Sequence, residues 1–304
     1  MASTKDVLTR LATSGDLEGL GIPKLDGRWD LRGLQVPERT SVELKGLPPG
    51  IVMQQGFLRL KNAVWKDIHF TDCQLEEIRF FDLTVENCVF SKCKCKGWRF
   101  WGSSFTDTRF QDVDFRHAAL GGLAQDGRRN SFRNVELVRT DLRGAAFISA
   151  DIIGCQFLEA NLRQVDFGGT RFEDCTFSGL LDETIFTQHG WGREDLPANE
   201  MKNVSFADAR FRFVEFRKLD MDRVEWPRAA DHVLVRNYRA TLDCMIERLE
   251  ARGTKAAAGV ASHMAHARKW AGDNQMTGVI CPSDFLQLGE WELALEVLAE
   301  CAAR

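Results

Sequence analysis

Residues 86–115 read ENCVF SKCKC KGWRF WGSSF TDTRF QDVDF, and every block of five closes on an apolar residue: Phe90, Cys95, Phe100, Phe105, Phe110 and Phe115. A period of five matches neither the 3.6-residue repeat of a helix nor the two-residue repeat of a strand. Each block must therefore form one side of a coil. Extended in both directions, the pattern makes one run from Leu60 to Leu120, a second from Phe132 to Phe177, and a third through Phe206, Phe211, Phe216, Met221 and Trp226. All 28 centres are apolar in a chain that is 44% hydrophobic, which excludes coincidence.

Two places before each centre the residue is usually small, as at Cys73, Cys88, Ser103, Ala145, Ala160 and Ala209, with exceptions such as Ile68, Trp98 and Asn130. The triplets Thr140-Asp141-Leu142, Ala150-Asp151-Ile152 and Ala160-Asn161-Leu162 resemble the small, Asp or Asn, Leu or Phe core of the pentapeptide-repeat proteins. The resemblance spans roughly 55% of the 304 residues. It implies a mainly β fold, a right-handed quadrilateral β-helix of about seven coils, with four repeats to a coil and two recurring positions pointing inward.

Three regions are expected. Residues 1–59 form an N-terminal cap with a short helix over Thr4 to Leu11, begun by Ser3 or Thr4, and a Pro48-Pro49-Gly50 turn. Residues 60–226 are the coil, interrupted by insertions at 121–131 and 178–205. Residues 227–304 are α-helical. In that last region Val235, Tyr238, Leu242, Met245 and Leu249 fall at helical spacing, an Ala-rich helix covers Ala256 to Ala271, and a last helix starts near Ser283. This region either caps the coil or binds, including as a homodimer contact.

No apolar stretch is long enough to cross a bilayer, and Met1 to Asp6 lacks a basic start, so a soluble, reduced, cytoplasmic protein is expected. Six of the nine cysteines fall at inward positions of the repeat and read as small core residues, with Cys73 stacked on Cys93 and Cys155 on Cys175. No phosphate-binding loop, metalloprotease motif or nucleophile elbow occurs. His263 and His266 are the one close histidine pair, and two ligands without a third do not make a metal site. Neither cofactor nor metal is expected. A coil filled with side chains offers walls rather than a pocket, which favours a non-enzyme.

Binding is then expected on outward positions and insertions. The first insertion carries Arg128 and Arg129; the second carries Phe186, His189, Trp191, Arg193, Glu194 and Asp195. Stacking by twenties puts Phe81, Trp101 and Ile148 on one outer stripe flanked by Arg79 and Arg99, and Phe213 joins it if the insertions preserve the phase. An apolar stripe edged by arginine has the composition of an interface core, unless a terminal segment covers it.

Some pentapeptide-repeat proteins protect type II topoisomerases by imitating a DNA duplex, and the layout of two loops and a helical end is similar. The coil holds 27 acidic and 23 basic residues with alternating signs, however, so no phosphate-like stripe is legible. A topoisomerase such as DNA gyrase is the first candidate partner, bound through loops and aromatics. A toxin is the alternative, because residues 285–296 resemble a helical motif of bacterial immunity proteins, and a scaffold for another protein is a third reading. Direct nucleic-acid binding is disfavoured by a pI of about 5.9.

Overall fold

The computed structural model describes residues 3–37, 47, 51 and 57–302. Its centre is a four-faced parallel β-helix with α-helices at both ends. The expected turn at Pro48-Pro49-Gly50 lies outside the described residues.

The five-residue period has a local cause. The second residue after most centres adopts the left-handed conformation, as at Asp67, Asp72, Asp82, Asn87, Gly97, Gly102, Asp107 and Asp112. That conformation turns the chain after a three-residue strand, and Gly, Asn and Asp tolerate it best. The backbone groups then bond to the next coil rather than locally: Asp82 N–H donates to the Trp101 carbonyl at 2.9 Å and Thr84 N–H to that of Ala63 at 2.9 Å.

Strand pairing assigns the centres to faces. Face one stacks Leu60, Phe80, Phe100, Leu120, Phe147, Phe167, Phe186 and Phe216. Face two stacks Trp65, Val85, Phe105, Phe132, Ile152, Phe172 and Met201. Face three runs from Phe70 through Phe90, Phe110, Leu137, Phe157 and Phe177 to the strand of Phe206. Face four runs from Leu75 through Cys95, Phe115, Leu142 and Leu162, and closes with Leu181 paired to Phe211. Like rings stack along the axis: Phe70 on Phe90 at 4.5 Å, Phe105 on Phe132 at 4.9 Å and Phe157 on Phe177 at 4.6 Å between centroids. Offset stacks of this kind add about 0.5–1.5 kcal/mol per pair to the burial itself.

The second insertion is shorter than the sequence reading placed it. Strand Thr176–Asp182 runs into the expected 178–205 loop, Ile185–Thr187 is a strand within it, and Leu181, Phe186 and Met201 are fully buried centres. One residue is missing between Phe177 and Leu181, where the ladder slips between Thr176 and Ser178, and this broke the count of five. Phe186 is thus core rather than loop. The three added repeats return Phe206 to the face of Phe177 and put Phe211 on face four, so the insertions do not preserve the phase that would bring Phe213 onto the stripe, and it falls one face away.

At the N-terminal end, helix α1 (Thr4–Thr13) starts in a capping box between Ser3 and Asp6. It buries Val7, Leu8 and Leu11 on the first coil, where the Trp65 indole N–H donates to the Leu11 carbonyl at 2.9 Å. Strand Arg28–Asp30 adds a parallel rung beneath Ile68–Thr71.

The C-terminal unit has its own apolar cluster around Leu242, Met245, Val260, Met264 and Val297. Its helices are α2 (Tyr238–Arg252), α3 (Lys255–Trp270) and α4 (Glu290–Ala302). Two boundaries differ from the sequence reading. Val235 belongs to strand Val233–Arg236, paired antiparallel with Thr277–Ile280, a partner too distant in sequence to be foreseen. The last helix begins at Glu290 rather than near Ser283, because Pro282–Asp284 makes one 3-10 turn and Gly289 takes a φ of 84°. Cys244 and Cys301 form a disulfide joining α2 to α4, which the expectation of a reduced chain did not include. Arg252 reinforces that junction, reaching Glu296 at 3.0 Å and Glu300 at 2.6 Å.

Candidate functional site

Both insertions leave the coil at the same corner, between face one and face two: from Leu120 to Phe132, and from Phe186 to Met201. Each re-enters through a buried asparagine two places before the next centre. Asn130 accepts from the Ser103 N–H at 2.9 Å and donates to the carbonyls of Phe100 at 3.1 Å and Leu120 at 2.9 Å. Asn199 accepts from the N–H groups of Phe172 at 3.3 Å and Met201 at 3.1 Å. These side chains replace ladder bonds that the departing loops remove, and an unpaired buried backbone group would cost about 1–3 kcal/mol. Asn130 stood out in sequence only as an oversized residue at a small position.

The two loops are joined. The Arg129 side chain is 8% exposed and donates to Asp151 Oδ1 at 3.0 Å and to the Pro197 carbonyl of the second loop at 3.0 Å. Arg128 is exposed and reaches Asp82 and Asp126, so it fastens the first loop back over face one. In the second loop His189 is half-buried, and Arg193 pairs with Asp195 at 2.9 Å. Trp191, 87% exposed, stands out from this ridge.

The outer stripe of face one is present in part. Phe81 and Trp101 stack at 4.7 Å between centroids and are half-buried. Gly121 follows Trp101, and a Cβ there would lie 2.2 Å from the backbone of Ile148, so only glycine fits. Ile148 comes next and is 41% exposed. Arg99 is exposed at the edge as expected. Arg79 is not: it is 8% exposed, donates to the Gly97 carbonyl at 2.8 Å and packs 4.0 Å from the Phe57 ring. Phe213 lies in a left-handed turn at the far end, where its N–H donates to Asp284 Oδ1 at 2.7 Å. It faces the helical unit and has no part in the stripe.

Surface charges pair along the axis. Lys66 meets Glu86 at 2.6 Å, Arg109 meets Glu136 at 2.6 Å and Arg139 meets Asp112 at 2.8 Å, each across adjacent coils. Arg139 holds the Asp112 carboxyl below its usual range. Acids paired in this way do not make the continuous negative stripe that a duplex imitation needs.

The coil interior is filled by apolar side chains and buried thiols. Burial pushes the thiols of Cys88 and Cys155 up to about 12 and that of Cys175 to about 11, so they stay protonated and inert. A cavity does exist, where the sequence reading anticipated only walls. It encloses about 180 Å³ between the last coil and the helical unit, and its lining includes Cys281, His263 and Asp284. Those three do not make a nucleophile site: burial and the Asp284 charge raise the Cys281 thiol well above its ordinary value. Among the described residues no three His, Cys, Asp or Glu side chains converge as metal ligands, and no helix is long and apolar enough to cross a membrane.

A closed coil of five-residue rungs with a fastened pair of loops defines a solenoid whose distinctive surface is a ridge and an adjoining aromatic stripe. Within the β-helix a family model described as "Pentapeptide repeats" matches eight copies, at residues 86–122 and 140–179. Solved structures similar to the chain include Rfr23, a pentapeptide repeat protein from the cyanobacterium Cyanothece 51142, at 11% identity and a TM-score of 0.34, over 40% of this chain and 91% of that one. QnrB1, a plasmid-mediated fluoroquinolone resistance protein, is 13% identical with a TM-score of 0.28, over 61% and 90% of the two chains. HetL, involved in heterocyst differentiation regulation in the cyanobacterium Nostoc sp. strain PCC 7120, is 14% identical with a TM-score of 0.22, over 55% and 73%. No curated protein sequence matches the chain.

Proposed function

We propose that this protein is a non-catalytic binder of another protein, that its contact surface is the corner ridge with the Phe81–Trp101 stripe, and that the partner is a type II topoisomerase. The observation that carries the reading is the joining of the two loops by Arg129, which presents an exposed Trp191 on a preorganised support. A large aromatic held on an ordered loop is what an interface hot spot requires. Axial pairing of the surface charges favours recognition by loops and aromatics over imitation of DNA, and a pI of about 5.9 disfavours direct nucleic-acid binding.

A gyrase supercoiling assay with a fluoroquinolone tests the partner. The intact chain is expected to restore supercoiling at micromolar concentration, and the double variant Trp191→Ser, Trp101→Ser to lose the effect while keeping its fold by circular dichroism. No protection by the intact chain removes the topoisomerase. Full protection by the double variant removes the surface.

The toxin alternative loses part of its basis, since residues 285–289 precede the helix instead of forming its first turn. The exposure of Leu286 and Leu288, 82% and 104%, supports a homodimer contact through that segment beside the C-terminal helices, and Leu288→Lys is expected to abolish any dimer seen by analytical ultracentrifugation. A cytoplasmic location belongs to the same reading, and there Cys244 and Cys301 would be thiols. Thiol counting on freshly lysed cells checks this.

A further inference from the structure

The cavity at the end of the coil is walled by Phe213, Phe216, Trp226 and Tyr238, with Asp284 at its edge. Its charges are unequally matched. Glu215 is paired with Arg217 at 2.6 Å and lies 3.4 Å from His266. Arg217 and Lys269 both lie over the Trp270 ring, at 4.5 Å and 4.9 Å from its centroid. Among the described residues the hydrogen-bond donors to Asp284 are neutral: the Phe213 N–H at 2.7 Å and the Cys281 thiol at 3.0 Å. His263 stands 4.0 Å away, and burial lowers its affinity for a proton, so it is a poor counter-ion. The Asp284 side chain is 13% exposed. A carboxylate this sheltered, in a cavity lined by aromatic residues and with no lysine or arginine paired to it among the described residues, is half of a charge pair.

We propose that this cavity binds a small organic cation, an ammonium group on a compact apolar body, with the charge toward Asp284 and the body against the aromatic walls. The size suits such a ligand, since a cavity of about 150 Å³ accommodates benzene. The site lies at the junction of coil and helical unit, so occupancy would also hold the two together, and it does not depend on what the loops bind.

Titration calorimetry of the intact chain with benzylammonium, benzyl alcohol and benzoate tests the proposal, because these probes share a ring and differ in charge. Benzylammonium is expected to bind at least about tenfold more tightly than benzyl alcohol, as a desolvated cation–π and ion-pair contact would give. Benzoate is expected not to bind. Asp284→Asn keeps an acceptor for the Phe213 N–H and should erase the preference for the cation. Should that variant lose its near-ultraviolet circular dichroism, the charge series on the unaltered chain decides alone. Binding of benzyl alcohol or benzoate as tight as that of benzylammonium overturns the proposal, and so does the absence of benzylammonium binding at millimolar concentration.

Discussion

Replacing Arg129 by Met would cut the tie between the two loops while keeping an apolar stem of similar length. The guanidinium makes two hydrogen bonds at 3.0 Å, one to a carboxylate and one to a carbonyl. Bonds to charged groups are worth about 1.5–3 kcal/mol each, but two compensations reduce the loss. Pro197 is exposed, so its carbonyl regains water, and Asp151 keeps Arg171 at 3.5 Å. A net cost of about 2 kcal/mol follows, which raises the open fraction of the second loop roughly thirtyfold. Because a solenoid's layers contact only their neighbours, the cost should stay local. Hydrogen exchange is the assay: amides of residues 188–200 are expected to exchange about thirtyfold faster while Phe70–Phe110 rungs keep their protection. Unchanged exchange in the loop, or equal loss of protection throughout the coil, would refute the account of Arg129 as a local tie.

Further expectations concern the core, the loop closure, the helical unit and pH. Phe90→Ala removes a fully buried ring between Phe70 and Phe110 and should cost about 3–5 kcal/mol in urea unfolding, whereas Phe81→Ala on the outer stripe should cost far less. Asn130→Ala strands three backbone groups and should lower stability by about 2–4 kcal/mol, with Asn130→Asp unable to rescue it because the carboxylate cannot donate. Reduction of Cys244–Cys301 opens a 57-residue separation and should destabilise the helical unit by up to about 4 kcal/mol, seen as an earlier melting of helical circular dichroism under a thiol reductant.

His263 has a folded-state pKa below its ordinary value of 6.5 because burial disfavours the imidazolium. Its surroundings include Asp284, His266 and Glu290, with the Phe285 ring 5.1 Å away. Below pH 6.5 the unfolded chain takes up a proton that the folded one refuses. Stability is therefore full above that value and declines as pH falls toward the folded pKa. His263→Gln should flatten this part of the pH profile, and an unaltered slope would exclude His263 as its source.

Much of the fold was readable because its determinant is local. A centre every fifth residue prescribes one side of a coil within each pentad, so the repeating coil and its inward cysteines follow from spacing, while four sides to a coil is what the resemblance to pentapeptide-repeat proteins implies. Phe186 is hidden in the sequence because a single missing residue before Leu181 resets the count, although Thr184-Ile185-Phe186 keeps the small, any, apolar form.

What composition and spacing could not supply was whatever depends on contacts between distant segments. Arg79 and Arg99 hold equivalent outward places in successive coils, yet one is buried against Phe57 and the other is exposed. Arg129 and Pro197 meet because two insertions share a corner, a fact of phase that a one-residue slip conceals. The pairing of Cys244 with Cys301 and the strand at Val233–Arg236 join segments far apart in sequence within the helical unit, and the cavity beside Asp284 arises where that unit docks on the coil. A repeat is dictated by neighbours along the chain, whereas loops, caps and cavities are set by which surfaces those repeats bring face to face.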